Sequence, residues 1–280
     1  MRVLVFGARG WVGGIVARAI PDALFPAAIA RIDIRSDVQE ALWSRQPDVA
    51  INCAGRVGVP NVDWCEDHPF ETWRDNAIGP AILAEECAKR RIHLVHVGSG
   101  CVFAGQSTHA DGAWQEGDAP NATSLYARSK AAADSLLAAL PGVAVVRIRM
   151  PVSAEAHPRS LPDKLSGYRT VCHAVNSVTF LSEFPRVLLR IAEERATGIF
   201  HAVARGVLAH REIVEAWRRL VDRNAPIPEW VADESDLRSL GLARAPRSRA
   251  ILADTRLAGI GAAMGDAHEM LEKTLKARQK

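Results

Sequence analysis

Short apolar runs alternate with amphipathic helical patterns along most of the 280-residue chain. The apolar runs are VLVF at 3–6, VAIN at 49–52, LVHV at 94–97, VAVVRI at 143–148 and GIFHAV at 198–203. Apolar residues recur near a 3.6-residue period at 11–20, 71–90, 126–140 and 180–195, as in helices with one buried face. Strands and helices in alternation predict an α/β fold in which helical crossovers join the strands of a doubly wound parallel sheet.

The pattern changes after residue 150. A polar, irregular stretch runs to residue 176, the helix and strand pattern returns once, and a mixed region follows. We therefore predict a main domain of residues 1–150 plus 177–204, and a smaller, mostly C-terminal lobe of residues 151–176 plus 205–280 that binds the substrate. With 48% hydrophobic residues, the chain can bury a full core and an appended lobe.

Charge and cysteine usage narrow the class of protein. The 35 basic and 32 acidic residues are interspersed and give a net charge of +3, which argues against a nucleic-acid partner. No apolar stretch approaches the roughly 20 residues that would span a bilayer, and the N-terminus enters a strand directly, so we expect a cytoplasmic protein without membrane contact. The five cysteines are widely spaced and the nine histidines show no metal-ligand spacing, so we expect reduced thiols and no metal site.

A glycine-rich turn follows the first apolar run. Gly7, Gly10 and Gly13 lie between that run and the first helical pattern. Glycine lets the backbone approach a pyrophosphate closely, and the free N–H groups of the following helix favour an anion. A tight turn with only a structural role is the alternative. The position between a strand and a helix favours dinucleotide binding and a Rossmann-like fold.

Arginines near this turn bear on the choice of dinucleotide. An acidic residue after the second strand suits the 2′-hydroxyl of NAD, whereas arginine suits the 2′-phosphate of NADP. We find no clear acid after the second strand that we expect in FPAAIARID, while Arg9 and Arg31 are both within reach. The sequence therefore favours NADPH, with NADH possible and solvated surface arginines as the alternative.

Tyr126 and Lys130 are four residues apart on one predicted helix and so share a face. An ammonium beside a phenol favours the phenolate, and we expect it to bring the pKa of the tyrosine toward neutrality, so that the pair can exchange a proton with a substrate oxygen. Such pairs also occur by chance as packing residues. Ser99 ends the LVHVGS run, at the carboxyl edge of the sheet where ligands of open α/β sheets bind, and it can hydrogen-bond a carbonyl.

Motifs along nearly the whole chain resemble one family, the nucleotide-rhamnose synthases/epimerase-reductases, which belong to the extended short-chain dehydrogenases/reductases. The most specific are NVDWCE and RMPVS; GWVGG, SLYARSK, VNSVTFL and APRS are others. The dTDP-4-dehydrorhamnose reductases and GDP-fucose synthases are similar at a greater distance. The resemblance implies a homodimer that associates through the helices around 71–90 and 126–140, and solvated outer faces of these helices are the alternative.

The resemblance also implies the site residues. The predicted catalytic residues are Ser99, Cys101, Tyr126, Lys130 and Lys164. The predicted cofactor-binding residues are Gly7, Arg9, Gly10, Trp11, Val12, Gly13, Arg31, Ala54, Asn76, Tyr126 and Lys130. The predicted substrate-binding residues are Asn61, Trp64, Asn176 and Arg247.

Cys101 and Lys164 match the positions at which members of this family exchange protons beside the sugar ketone. If the strand stays extended beyond Ser99, Cys101 and Ser99 face the same side of the sheet. Burial in the core is the alternative for Cys101, and a solvated position in the lobe is the alternative for Lys164.

The resemblance implies a bifunctional enzyme. Its members invert C3 and C5 of a nucleotide 4-keto-6-deoxyhexose and reduce C4 with NADPH, which yields a rhamnose-type nucleotide sugar. A reductase without epimerase activity and a non-catalytic NADP-binding regulator are the two alternatives.

Overall fold

The five apolar runs predicted as strands form one parallel sheet in the computed structural model, which describes residues 1–26 and 30–279. The strands of this chain are β1 (Val3–Phe6), β2 (Val49–Asn52), β3 (His93–Ser99), β4 (Val143–Ile148), β5 (Pro151–Val152), β6 (Thr170–Cys172), β7 (Val175–Asn176), β8 (Thr179–Phe180), β9 (Gly198–Ala202), β10 (Leu208–Ala209) and β11 (Glu229–Val231). The central sheet has the order β1-β2-β3-β4-β9.

The α-helices flank and extend this sheet. They are α1 (Trp11–Ala19), α2 (Arg35–Arg45), α3 (Asp63–Asp67), α4 (Pro69–Trp73), α5 (Gly79–Lys89), α6 (Leu125–Ala138), α7 (Leu161–Gly167), α8 (Phe184–Glu193), α9 (His210–Leu220), α10 (Glu234–Ser239) and α11 (Ala267–Lys276). A π-helical turn (Arg74–Ile78) joins α4 to α5, so the single helix predicted at 71–90 is divided. Short 3₁₀ segments occupy Gly100–Val102, Ala258–Ile260 and Ala277–Gln279.

Both faces of the sheet are apolar because successive residues of a strand point to opposite sides. In β1, Val3 and Val5 belong to the hydrophobic cluster that includes residues of α1 and α8, and Leu4 and Phe6 belong to the cluster that includes residues of α2, α5 and α6. All four β1 residues are buried. This two-sided burial confirms the predicted α/β fold with a doubly wound parallel sheet.

Strand register brings several sequence motifs to the same edge. Phe6 pairs with Asn52, Asn52 pairs with His96, and Ser99 pairs with Ile148. The glycine turn, the segment after β2 and the end of β3 therefore leave the sheet side by side at its carboxyl edge.

The second strand that the sequence predicts in FPAAIARID is not a regular strand in the described residues. Leu24, just before this stretch, forms an isolated parallel bridge with Leu4, and its N–H donates to the Val3 carbonyl at 2.8 Å. Residues 27–29 lie outside the described residues. In the described part of the chain, β1 therefore has one full strand neighbour, β2, and a single bridge on its other side.

In the described residues, the remaining strands form three two-stranded pairs outside the central sheet: β5 with β8, β7 with β10, and β6 with β11. They belong to the C-terminal part of the chain, together with α7, α9, α10 and α11. The β5–β8 pair joins residues on both sides of the predicted boundaries at 150 and 177. The division into two domains stays a prediction.

Among the described residues, the structure contains no helix that is both long enough and apolar enough to traverse a lipid bilayer.

Candidate active site

The glycine turn brings α1 close to the ends of two strands. Gly7 has φ +78°, and a Cβ there would lie 2.5 Å from the Ala54 backbone nitrogen. A Cβ on Gly13 would lie 2.2 Å from the Gly7 carbonyl oxygen. No side chain caps the first turn of α1, whose N-cap is Gly10. Glycine at positions 7 and 13 therefore lets the turn, α1 and the segment after β2 pack backbone against backbone, and the uncapped N–H groups at the start of α1 suit a pyrophosphate.

The other predicted residues of the turn differ in environment. Trp11 stacks on His157 of the C-terminal part at a ring-centroid distance of 4.4 Å. Val12 is half-buried against the core, and Arg9 is exposed. The Ala54 N–H donates to the Asn52 side chain at 2.9 Å. These four residues surround the turn, and their contacts with a cofactor stay predictions.

Arg31 is bound to an acid that sequence reasoning did not weigh. Its guanidinium donates to both carboxylate oxygens of Asp33, at 3.0 and 2.7 Å. This pairing lowers the pKa of the Asp33 carboxyl, and burial opposes the shift. Asp33 ends the FPAAIARID stretch, so an acid does stand near Arg31. A 2′-phosphate that bound Arg31 would compete with this carboxylate.

Asn76 lies in the π-helical turn and is fully buried. Its amide oxygen accepts from the Arg56 N–H at 2.8 Å, and its amide nitrogen donates to the Arg56 carbonyl at 2.9 Å and to the Ser129 hydroxyl at 3.2 Å. Asn76 therefore holds the segment after β2 against α6, the helix that carries Tyr126 and Lys130.

The Ser99 hydroxyl lies near the Tyr126 phenol at the carboxyl edge of the sheet. Burial raises the pKa of Tyr126, the negative charge that Cys101 can carry raises it further, and the Ser99 hydroxyl lowers it. The expected lowering of this pKa by Lys130 is therefore wrong for the structure described here. The physical reason is burial: Tyr126 is 8% exposed, and a phenolate is poorly solvated there.

Lys130 is buried one helical turn beyond Tyr126. Its ammonium donates to the Val97 carbonyl at 3.1 Å. Burial lowers its pKa, and the carboxylate of Asp134 opposes the shift. Lys130 thus belongs to the same edge of the sheet as Ser99 and Tyr126, but its ammonium is directed to the backbone of β3.

Cys101 does not continue the strand that contains Ser99. Residues Gly100–Val102 form a 3₁₀ turn, and the Ser99 hydroxyl accepts the Cys101 N–H at 3.2 Å. The parity argument for Cys101 is therefore wrong, because the hydroxyl closes a turn directly after the strand. Cys101 is only partly buried, and its charge acts on both Tyr126 and Lys164, so the three side chains are near one another.

Lys164 approaches from α7. Burial lowers its pKa, the charge of Cys101 raises it, and the guanidinium groups of Arg159 and Arg247 lower it further. A lysine in this environment gives up its proton more readily than a solvated one. The structure thus brings Lys164 toward Cys101 from the C-terminal part of the chain.

Two predicted substrate residues are joined across the cleft. Arg247 donates to Asn61 at 3.3 Å and to the Asp63 carboxylate at 2.7 Å. Its second terminal nitrogen is buried and has no hydrogen-bond partner among the described residues. This leaves one donor for a ligand anion. Trp64 stacks on His68 at 3.9 Å.

Asn176 is 1% exposed, and its amide oxygen accepts from Arg149 at 2.5 Å. A direct contact of Asn176 with the sugar stays a prediction. Arg149 itself, whose guanidinium also contacts Cys101, was missed as an individual residue. Its signal was a second arginine in the VVRIRMP stretch, where an apolar strand reaches the carboxyl edge of the sheet.

Residues 1–165 match the family described as the RmlD substrate binding domain. The chain is 34% identical over 226 residues to a bifunctional dTDP-4-dehydrorhamnose 3,5-epimerase/dTDP-4-dehydrorhamnose reductase of Arabidopsis thaliana, covering 78% of this chain and 75% of that protein.

Two solved structures show the same architecture. The L780 UDP-rhamnose synthase of Acanthamoeba polyphaga mimivirus superposes with a TM-score of 0.90 at 30% identity and covers 99% of each chain. The dTDP-4-dehydrorhamnose reductase of Bacillus anthracis, solved in complex with NADP, superposes with a TM-score of 0.81 at 19% identity, over 98% of this chain and 97% of that one. At this identity the match shows a shared fold. By its sequence motifs and these matches, the chain belongs to the RmlD substrate-binding-domain family of extended short-chain dehydrogenases/reductases.

Proposed function

We propose that this protein is an NADPH-dependent nucleotide-sugar 3,5-epimerase/4-reductase that converts a nucleotide 4-keto-6-deoxyhexose to a rhamnose-type nucleotide sugar. One observation carries the proposal: Cys101, which has no reductive role, lies beside the Ser99–Tyr126 pair and interacts electrostatically with Lys164. The Arabidopsis relative is named for both activities, and the mimivirus structure is named a UDP-rhamnose synthase.

The cofactor proposal depends on the glycine turn. The close approaches at Gly7 and Gly13 fit a pyrophosphate at the start of α1, and Trp11, Val12, Ala54 and Asn76 would line the rest of the site. When bound, the dinucleotide supplies the hydride that reduces C4. Arg9 and Arg31 support NADPH, although Asp33 competes for Arg31. The Bacillus anthracis relative is described as an NADP complex.

In the reduction, Tyr126 donates a proton to the C4 oxygen while Ser99 hydrogen-bonds that oxygen. Because burial raises the pKa of Tyr126, the phenol stays protonated at neutral pH, which is the form that a proton donor needs. Lys130 fixes the end of β3 through its bond to Val97.

In the epimerisation, a base removes the proton next to the ketone and an acid returns one to the opposite face. Ser99 and Tyr126 stabilise the enolate oxygen, so both reactions use the same pair. Cys101 is the base and Lys164 is the acid. They lie on different elements, the segment after β3 and α7, so that they can reach the substrate carbon from opposite faces. Asn61, Trp64, Asn176 and Arg247 bind the nucleotide sugar, with the free Arg247 donor directed to its diphosphate.

The test is incubation with UDP- or dTDP-4-keto-6-deoxyglucose in deuterated water, with and without NADPH, followed by NMR. We expect deuterium at C3 and C5 without NADPH, and a 6-deoxyhexose of rhamnose type with it. Reduction without deuterium incorporation would leave the reductase-only alternative. Failure of both substrates to incorporate label or to oxidise NADPH would favour the non-catalytic regulator.

We further propose a homodimer that forms through α4–α5 and α6. Large apolar side chains on these segments are exposed: Phe70 at 80%, Ile78 at 53% and Leu136 at 48%. An exposed apolar surface of this kind suits association. Light scattering after size exclusion tests this, and Ile78→Asp is expected to shift the population to monomer. The free cysteines support a reducing compartment such as the cytoplasm.

A further inference from the structure

Arg149 is a buried cation without a carboxylate partner in the described part of the chain. Its side chain is 1% exposed. Its guanidinium donates to the Asn176 amide oxygen and to the Ser248 carbonyl, both at 2.5 Å, and to the sulfur of Cys101 at 3.0 Å. Buried arginine charges are costly unless they are paired, and guanidinium does not lose its proton in proteins.

A second buried arginine, Arg147, has the kind of partner that Arg149 lacks in the described structure. Arg147 is 1% exposed and donates to the Asp134 carboxylate at 2.7 Å. Arg147 lies near the carboxyl end of β4, Arg149 directly follows that strand, and the two are equally inaccessible to water. The difference between them is the acceptor, a carboxylate for Arg147 and two neutral oxygens plus a cysteine sulfur for Arg149.

A cysteine sulfur is a weak acceptor as a thiol and a strong one as a thiolate. A permanently charged guanidinium nitrogen 3.0 Å from this sulfur would favour the thiolate over the thiol. We propose that Arg149 is a positioning residue that holds Cys101 as a thiolate, in an ion pair that prepares it as the base of the epimerisation. This inference rests on the proposed function for the role of Cys101, and the ion pair itself does not.

In the proposed inversion, Cys101 is the base and Lys164 is the acid. The thiolate of Cys101 takes the proton from the carbon beside the ketone, so an S–H bond forms, a C–H bond breaks, and the electron pair enters the enolate. The ammonium of Lys164 then gives a proton to the opposite face of that carbon, and the enolate electrons form the new C–H bond. Cys101 returns its proton to solvent and Lys164 regains one before the next inversion.

The groups that face Cys101 in the described structure come from three elements. Arg149 follows β4, Lys164 lies on α7 and Tyr126 lies on α6. The two cations favour the thiolate, and the neutral phenol adds no charge. Of these two cations, Arg149 is the one whose guanidinium donates a hydrogen bond to the Cys101 sulfur.

The test is the pH dependence of Cys101 alkylation by iodoacetamide in the full-length protein, followed by peptide mass spectrometry. We expect the midpoint for wild type to lie about one to three pH units below that for Arg149→Gln. Arg149→Lys, which keeps the charge, should restore part of the shift. Arg159→Gln is the matched control, since it removes an exposed cation near the cleft that does not bond the sulfur.

A midpoint that is the same in wild type and Arg149→Gln would overturn the proposal. If Arg149→Gln does not fold, the wild-type profile alone decides: a midpoint at or above that of glutathione under the same conditions refutes the ion pair. The substrate assay is separate. The deuterium-exchange pH profile should shift with the alkylation profile, while a shifted alkylation midpoint without any exchange in wild type would refute the epimerase role and leave the ion pair standing.

Discussion

At the scale of single residues, Tyr126 is the group whose chemistry is most constrained. It is buried, lies near Ser99, and is kept in its phenol form by a raised pKa. We expect Tyr126→Phe to lower kcat for reduction by about 10²- to 10⁴-fold, because the proton donor is lost. NADPH oxidation at saturating substrate measures this. The control is Tyr168→Phe, since Tyr168 is the other tyrosine in the chain and is 48% exposed; an equal loss in both variants would contradict the assignment.

Cys101 is the residue that we expect to separate the two proposed activities. Cys101→Ser should reduce deuterium incorporation at C3 and C5 by about 10²-fold or more, because the base is lost. Reduction of a substrate that is already epimerised should continue near the wild-type rate, since Ser99 and Tyr126 are intact. Parallel NMR and NADPH assays measure the two rates. Loss of both activities by the same factor would refute this division of roles.

At the scale of elements, a buried carboxylate joins α5 to α2. Glu86 accepts from Arg35 at 2.5 Å, Arg90 at 2.7 Å and Lys89 at 3.0 Å, and its side chain is 1% exposed. Burial raises its pKa, but these three cations outweigh burial and lower the pKa to about 2. Because the folded-state pKa is depressed, the stabilisation is complete above the ordinary value of 4.5 and is lost as pH falls from there to about 2.

We therefore expect Glu86→Gln to lower the free energy of unfolding by about 2 kcal/mol at pH 7, since it leaves three cations without their shared acceptor. Urea denaturation at pH 7 and at pH 3 measures this, and the difference from wild type should shrink at pH 3. Glu85→Gln is the control, because Glu85 pairs with the same Arg35 and Lys89 but is 49% exposed. An equal loss from Glu85→Gln would show that burial is not what matters.

At the scale of the whole molecule, the C-terminal segment anchors the helix that carries Lys164. Arg278 donates to both carboxylate oxygens of Asp163 on α7, at 2.9 and 2.8 Å, and to the Ser153 carbonyl at 2.5 Å. Its side chain is 6% exposed. The chain end, α7 and the segment after β5 are thus held together by one guanidinium.

Arg278→Gln should lower the thermal midpoint and slow epimerisation more than reduction, because we propose Lys164 for the proton exchange and not for the reduction. We expect a loss of stability of about 2 kcal/mol, as for a bond between charged groups that is largely buried. Differential scanning calorimetry and the two assays measure this. Lys276→Gln is the control, since Lys276 is 58% exposed and pairs with an exposed glutamate. Equal slowing of epimerisation and reduction by Arg278→Gln would contradict the link to Lys164.

The sequence by itself determined the α/β fold, the glycine turn after β1 and the edge of the sheet at which the candidate site lies. These features follow from local patterns in the sequence. A short apolar run predicts a buried strand, and strands that alternate with helices predict a doubly wound sheet. Gly7 and Gly13 stand where a Cβ would meet backbone atoms. The positions of Ser99, Tyr126 and Lys130 were predictable for the same reason. Ser99 ends a strand, and Tyr126 and Lys130 lie one helical turn apart on the same helix.

Tertiary structure alone decided the charges around these residues. The pairing of Arg31 with Asp33, the raised pKa of Tyr126 and the bond from Arg149 to Cys101 depend on burial and on which groups meet across the fold. The 3₁₀ turn after Ser99 was also not predictable from the sequence pattern. The Ser99 hydroxyl accepts the Cys101 N–H there, and this one hydrogen bond changes the direction of the Cys101 side chain. Periodicity encodes the position of a residue along an element, whereas electrostatics depends on distances between elements that no local pattern contains.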